Sequence, residues 1–272
     1  MRAFSVLMSC YKGDNPLLLK KAIESVYSST VLPTEFILVE DGRLNEELYK
    51  VINERKNKYN SIKIVKLSEN VGLGSALDVG LRHCSNELVA RMDSDDLCVD
   101  SRFELQLEKF DQNSELDVVG GLIEEFNSEE SKYLRKNRIV PEFQIEILAY
   151  SRSRNPVNHV TVMFKKSIVL GLGSYESFPL FEDYFLWLKL LDSKALFYNI
   201  QKTLVLVRAG EDMVGRRYGL SYANKELQFY KKAYERGYIS TLVFLKAVLI
   251  RLPLRLLPKK VLEFLYYNVF RR

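Results

Sequence analysis

Apolar and polar positions along the first half of the chain alternate between two periods. Ala3–Ser9, Glu35–Val39, Ile62–Leu67 and Glu87–Met92 are short runs rich in Val, Ile and Leu, bounded by polar turns. Each predicts a buried strand. Between them, Leu17–Ser28, Glu46–Asn57 and Gly74–Cys84 carry apolar residues at helical spacing. Asp100–Asp111 predicts a further helix with Asp100 as its cap, and Pro33 marks a turn. Strand and helix in alternation predict an α/β fold, a mostly parallel mixed sheet flanked by helices. The second half is less regular. It predicts strands over Asp117–Gly121 and Val160–Phe164, a polar loop from Arg152, and a helix over Phe181–Leu191.

In such sheets ligands bind outside the carboxyl ends of the strands. Ser9, Tyr11, Asp41, Asn70, Asp93 and Asp95 all fall at or just past those ends, so polar groups from four strands converge on one crevice. Asp93 and Asp95 are hard oxygen donors one residue apart, suited to Mg2+ or Mn2+ that completes its shell with substrate phosphates. Other readings of the Asp run compete. A solvated turn uses the same residues. A calcium loop would need an oxygen ligand at Leu97 and glycine at Cys98, and a phosphatase would carry its nucleophilic Asp where Ser9-Cys10-Tyr11 stands. Gly72-Leu73-Gly74 lacks the third glycine and any Lys-Ser/Thr pair, which argues against dinucleotide and P-loop sites. Glu182 and Asp183 open the predicted helix. Locally they read as a cap complementing the helix dipole, with a general base as the alternative. His159 reads locally as a polar residue beside a strand.

At 272 residues, 47% hydrophobic and 28% charged, the chain can bury a sizeable core. Cys10, Cys84 and Cys98 are odd in number and have no metal-type spacing, which fits a reducing cytoplasm. No stretch is apolar enough to span a bilayer, and the N-terminus reads as a strand rather than a leader. Charge changes the picture at one end. Residues 241–272 hold seven Lys or Arg against one Glu, a net +6, so residues 1–240 carry −1 of the chain's +5. A near-neutral body does not suit nucleic acid. The basic, Leu-rich tail reads either as helices lying in an anionic membrane interface or as a hairpin packed on the domain, broken at Pro253 and Pro258; the membrane reading is favoured.

Five segments, taken together, resemble the family 2 inverting glycosyltransferases of the GT-A fold. They are Ser5-Val-Leu-Met-Ser-Cys-Tyr11, Val39-Glu-Asp-Gly42, Asn70-Val-Gly-Leu-Gly-Ser-Ala-Leu77, Ala90-Arg-Met-Asp-Ser-Asp-Asp96 and Phe181-Glu-Asp-Tyr-Phe-Leu-Trp187. Within that family the closer likeness is to bacterial enzymes that extend lipid-linked repeat units of exopolysaccharide, capsule or O-antigen. It rests on Arg154-Asn-Pro-Val-Asn-His-Val-Thr-Val-Met-Phe164 with Arg216, Arg217 and Glu226 downstream.

The resemblance implies a GT-A domain over 1–240, with a nucleotide-sugar half (1–115), an acceptor half (116–240) and a basic tail (241–272). It implies that Ser9, Tyr11 and Asp41 line the base and ribose pocket, and that Asn70 and Arg91 lie around the donor. Asp93 and Asp95 form the metal motif, with Asp95 favoured as direct ligand of Mn2+ or Mg2+. Asp183, beside Glu182, becomes the general base, reversing the local reading. His159 and Arg208 approach the diphosphate or the acceptor. The implied reaction moves a hexose from UDP-galactose or UDP-glucose to an undecaprenyl-diphosphate-linked sugar with inversion, giving a β-linkage, at the inner face of the cell membrane. Tyr175–Leu180 and Arg208–Arg217 are candidate lids. Glu40 and Asp78 stand where the family commonly has Asp and Asn. Two other readings stay open: a metal-dependent nucleotidyltransferase, which Cys10-Tyr-Lys-Gly-Asp14 serves poorly as a triphosphate loop, and an inactive scaffold subunit of a polysaccharide assembly complex.

Overall fold

A computed structural model describes residues 2–126, 136–176, 178–208 and 218–257. Strand β1 (Phe4–Tyr11) leads through α1 (Pro16–Tyr27) to β2 (Glu35–Asp41), then α2 (Glu46–Lys58), β3 (Ile62–Lys66), α3 (Leu73–His83) and β4 (Leu88–Arg91). The helices start where their sequences provide caps. Asn15 Oδ1 accepts from the backbone N–H of Leu17 at 2.9 Å and Leu18 at 3.3 Å, with Pro16 in the first turn. Asn45 Oδ1 accepts from Leu48 N–H at 2.9 Å. Each cap satisfies donors that the first helical turn leaves unpaired.

A short β5 (Leu97–Cys98) precedes α4 (Arg102–Gln112). The expected Asp100 cap is not formed. Ser101 precedes the helix and makes no side-chain cap bond, while the Asp100 carbonyl accepts from Thr30 N–H at 2.9 Å. There follow β6 (Val118–Phe126), β7 (Lys136–Arg138) and α5 (Gln144–Ser151). The strand expected over Val160–Phe164 is shorter and later. His159–Thr161 form a 3-10 turn, and β8 runs over Met163–Lys165. One near and one distant contact account for it: the Thr161 hydroxyl bonds the Asn158 carbonyl at 2.7 Å and Gly121 N–H donates to Thr161 Oγ1 at 3.0 Å, so Thr161 is held out of the ladder.

The chain continues through α6 (Lys166–Gly171), α7 (Glu182–Asp192), β9 (Phe197–Arg208), α8 (Leu220–Glu235), α9 (Thr241–Lys246), a π-helical turn (Ala247–Arg251) and α10 (Leu252–Arg255). Among the described residues the strands form one mixed sheet in the order β3-β2-β1-β4-β8-β6-β9-β5, with β7 pairing β6. The pairings β3-β2, β2-β1 and β1-β4 are parallel; β8 then runs antiparallel to both β4 and β6. Residues before and after 115 therefore share one sheet.

All seven residues of β2 are buried, as expected for a strand covered on both faces. Beneath α3, a Cβ at Gly80 would come within 2.5 Å of Leu7 and Val39, so only glycine lets the helix seat this closely. The tail packs on the domain as far as it is described. Val243, Phe244 and Ala247 join a cluster with Phe229 and Tyr230. Pro253 does not break the helix. It lacks the N–H that would continue the α-helical ladder, and the helix passes through the π turn just before it. The hairpin's opposite face leaves Leu242, Leu245, Leu249, Ile250 and Leu256 exposed. No described helix is long and apolar enough to cross a membrane.

Candidate active site

The end of β4 supplies the first half of the site. Arg91 is buried, and its side chain shares a strand face with that of Asp93, two residues on. Arg91 Nη1 donates to Asp93 Oδ2 at 2.6 Å and Nη2 donates to Asp93 Oδ1. A planar guanidinium takes a carboxylate in this two-point manner. Asp95 is exposed, and among the described residues no side-chain donor reaches it. Asp96 turns inward, and its Oδ1 accepts from Arg208 N–H at 2.8 Å, joining the acidic turn to the end of β9. Asp14 accepts from Tyr11 N–H at 3.1 Å and Ser94 Oγ at 2.9 Å.

Although Asp95 is exposed as a residue, partial burial of its carboxyl end, then repulsion from Asp93 and Asp14, raises its pKa. Full burial and the same kind of repulsion raise that of Asp96, and burial raises that of Asp14. This turn therefore holds more negative charge than its own cations balance. No group of three or more His, Cys, Asp or Glu among the described residues is arranged around a metal. An exposed carboxylate beside a paired one still fits Mg2+ or Mn2+, which keeps waters and takes ligands from substrate phosphates.

Across a cleft of about 280 Å3 stands the start of α7, so that Arg91, Asp93 and Asp96 face Glu182 and Asp183, with Arg138, Asn158 and His159 between. Asp183 lies inside the first turn of α7, whose N-cap Phe181 makes no side-chain cap bond; its Oδ1 accepts from Tyr184 N–H at 2.7 Å, one of the donors the helix start leaves unpaired. Its Oδ2 accepts from Asn155 Nδ2 at 2.5 Å. Burial raises the Asp183 pKa, opposed by those two bonds and by Arg138 and Arg91. A raised carboxylate is the stronger base. Leu180 enters this helix with φ at +80°, a strained conformation for a side-chain-bearing residue, and lines the same cleft. Glu182 comes so close to Gly74 that a Cβ there would lie 2.9 Å from Glu182 Cγ.

Asp41 and Asn70 meet each other. Asn70 Nδ2 donates to Asp41 Oδ2 at 3.0 Å, and the N–H groups of Val71 and Gly72 donate to the same carboxylate at 2.8 and 3.2 Å. Both residues line a second cleft of about 490 Å3 with Lys12, Arg43, Asn45 and Glu69. Gly42, at φ +81°, has Asn70 N within 2.6 Å of where a Cβ would sit, which fixes glycine there. Ser9 and Tyr11 are among the lining of neither cleft; Tyr11 ends β1 with its ring folded over Gly13.

His159 Nε2 and the Tyr175 hydroxyl share a hydrogen bond at 2.9 Å, and burial drives the His159 pKa well below its usual range, so the ring is neutral. Arg208 ends β9 with its guanidinium 4.7 Å from the Phe126 ring centre. The lid expected over Arg208–Arg217 lies outside the described residues beyond Arg208. Four residues given no role from sequence belong to the site or its frame: Asp14, Asp96, Arg138 and Asn155. Asp96 extends the acidic run and Asn155 precedes a proline, but nothing along the chain ties either to its partner.

The Glycosyl transferase family 2 model matches residues 5–171. The chain belongs to that family. The matched span covers β1 to α6, including the acidic turn and Asn155, and stops short of Glu182 and Asp183. Relatives align further. The UDP-Gal:alpha-D-GlcNAc-diphosphoundecaprenol beta-1,3-galactosyltransferase of Escherichia coli is 39% identical over 271 residues, 99% of this chain and 97% of that one. The amylovoran biosynthesis glycosyltransferase AmsE of Erwinia amylovora is 38% identical, covering 97% of each.

Solved structures confirm the GT-A-type fold of this family 2 glycosyltransferase. The mannosyltransferase PcManGT of Pyrobaculum calidifontis, in complex with GDP-Man and Mn2+, superposes with a TM-score of 0.66 at 14% identity, covering 86% of this chain and 65% of that one. S. aureus TarS 1-349 in complex with UDP-GlcNAc gives 0.62 at 16% identity, covering 84% and 66%. At these identities the likeness is one of fold.

Proposed function

We propose that this glycosyltransferase moves galactose, or else glucose, from its UDP-sugar to a GlcNAc- or GalNAc-diphospho-lipid. The reaction inverts the anomeric centre and forms a β-linkage in the assembly of a bacterial surface polysaccharide. One observation carries the reading: a carboxylate held at both oxygens, Asp183, faces Arg91, Asp93 and Asp96 of the acidic turn across a single cleft. The near-full-length likeness to the E. coli galactosyltransferase supports the choice of donor and acceptor.

Asp41 and Asn70 shape the loop around the nucleotide. Arg91 supplies positive charge beside the leaving diphosphate. Asp183 takes the proton from the acceptor hydroxyl as that oxygen attacks from the face opposite the nucleotide. Asp95, with Asp93, would hold Mn2+ or Mg2+, which supplies charge neutralisation to the departing UDP. His159, on the cleft, and Arg208, at the end of β9, would approach the diphosphate or the acceptor. The exposed leucines of the hairpin, beside a net +6 segment, support attachment to an anionic inner leaflet.

The test is UDP release from a panel of UDP-sugars with and without a GlcNAc-diphospho-lipid, comparing wild type with Asp95→Ala and Asp183→Ala. UDP-galactose turnover lost in both variants supports the reading. No turnover of any donor, together with no metal-dependent UDP binding, overturns it and favours the scaffold reading.

A further inference from the structure

The carboxylate of Asp183 is gripped by a side chain that belongs to a different part of the chain. Asn155 lies 28 positions earlier, in the loop between α5 and β8, and its Nδ2 donates to Asp183 Oδ2 at 2.5 Å. The other end of the same amide is also used: Asn155 Oδ1 accepts from Val157 N–H at 3.3 Å. A carboxylate takes only donors and an N–H needs only an acceptor, so the two contacts fix which way the amide faces. Pro156 follows directly, restricting Asn155 to extended backbone. The Asn155 carbonyl accepts from Arg138 Nη2 at 3.0 Å, which ties the loop to β7.

We infer that Asn155 is a positioning residue for the reaction, one that sets the plane of the Asp183 carboxylate and holds it in its ionised form. The inference rests on the reading of Asp183 as general base. Its geometry follows from a simple count. The last torsion of an Asp side chain is broad, so one anchored oxygen leaves the carboxylate free to swing. Tyr184 N–H anchors Oδ1 from within α7; among the described residues only the Asn155 hydrogen bond, at Oδ2, comes from outside the helix. Each oxygen accepts one bond and retains a second lone pair for the acceptor's proton.

Charge around the pair works in the same direction. Arg138 and Arg91 favour the ionised form of Asp183, while burial opposes it. Glu182, its neighbour on α7, repels it. Tyr175 and Tyr184 stay protonated, their pKa values pushed up by burial, and the neutral His159 adds no charge. Asp93 is matched by Arg91, and Asp96 lies on the same cleft wall. Among these side chains Asn155 is thus the neutral one that bonds the carboxylate directly, beside the backbone N–H of Tyr184.

The experiment measures kcat and KM for donor and acceptor across pH in wild type, Asn155→Ala, Asn155→Asp and Asp183→Asn, with thermal stability and UDP binding for each. Asn155→Ala is expected to lower kcat by at least about tenfold with little change in donor KM, and to move the acid limb of the kcat profile to higher pH. The sign follows because losing a donor to the ionised form raises that group's pKa. Asn155→Asp, nearly isosteric, places a second carboxylate against the first and should move the limb further in the same direction. It also keeps the inference testable should Asn155→Ala fold poorly. An inactive Asp183→Asn beside Asn155 variants that keep wild-type kcat and an unmoved acid limb would overturn the positioning role alone. An active Asp183→Asn would remove the base reading itself, and the inference with it.

Discussion

Arg255 Nε donates to Glu226 Oε2 at 2.7 Å, and Glu226 has no solvent-exposed surface. Arg251 reaches the same carboxylate at 3.2 Å from the π turn and donates to the Ser153 carbonyl at 2.7 Å. One buried acid on α8 thereby ties down the basic hairpin. The two guanidiniums also lie over aromatic rings of α8, Arg251 at 5.5 Å from Tyr230 and Arg255 at 4.9 Å from Tyr222.

Replacing Glu226 with Ala removes the carboxylate and leaves two cations facing each other. We expect a loss of about 2–4 kcal/mol in urea unfolding, below the upper end for a fully buried pair because Arg251 is partly hydrated. Protease cleavage should appear first in the 236–257 region. If hairpin and domain remained equally protected in Glu226→Ala, the clasp would have no structural weight.

Asp93 and Asp95 should separate in their effects. Asp93→Asn strips the two-point partner from the buried Arg91, so thermal stability and activity should fall together, the former by about 2–3 kcal/mol. Asp95→Asn alters an exposed side chain and should leave stability within about 0.5 kcal/mol while weakening Mn2+-dependent UDP binding. Differential scanning and a Mn2+ titration of UDP binding measure the two. The reverse ranking would exchange the roles of the two acids.

Arg102 is wholly buried and meets no carboxylate among its hydrogen-bond partners. Its Nη2 donates to the Arg91 carbonyl at 2.7 Å and the Val162 carbonyl at 3.3 Å, and its Nε to Gln106 Oε1 at 3.1 Å. Gln106 in turn donates to the Val119 and Thr161 carbonyls at 2.7 and 2.8 Å. Together they hold the end of β4 against the turn that carries His159. Arg102→Lys should fail to rescue, because one ammonium lacks the planar fork. A loss of about 3 kcal/mol in chemical unfolding is expected for Arg102→Lys and Arg102→Met alike. Full recovery of stability in the lysine variant would show that charge alone suffices.

Glu35 predicts a pH effect on stability remote from the cleft. Burial pushes its pKa up, but Lys63, Ser5 and two bonds from Ser85 outweigh this and hold it down at about 2. A carboxyl lowered in the folded state contributes stability that is present above its ordinary value near 4.5. That contribution is lost as pH falls toward about 2. Glu35→Gln should therefore cost on the order of 2 kcal/mol at neutral pH, with the difference from wild type shrinking through this window. A pH-independent difference would remove the ionised form from the explanation.

The strands β1 to β4 were readable because each is a buried run that needs apolar residues at nearly every position, as the fully buried β2 illustrates. Local chemistry was less readable where a distant group decides it. Asp100 has the residue type of a cap, yet its carbonyl is taken by Thr30 and the helix starts without it. Thr161 has strong strand character, yet its hydroxyl is committed to Asn158 and Gly121. The tail's basic and apolar composition announced an amphipathic hairpin, and Glu226 decided which face packs inward.

By itself the sequence determined the α/β plan, the acidic turn after β4, the acid pair opening α7 and the family to which they belong. These are carried by residue type and period, which act over a few positions. The tertiary structure alone decided that Arg91 takes Asp93 and leaves Asp95 to solvent, that Asp41 and Asn70 hold each other, and that Asn155 grips Asp183. Those pairings depend on hydrogen-bond distances between groups that the sheet brings together from well-separated segments, and a linear pattern holds no record of such distances.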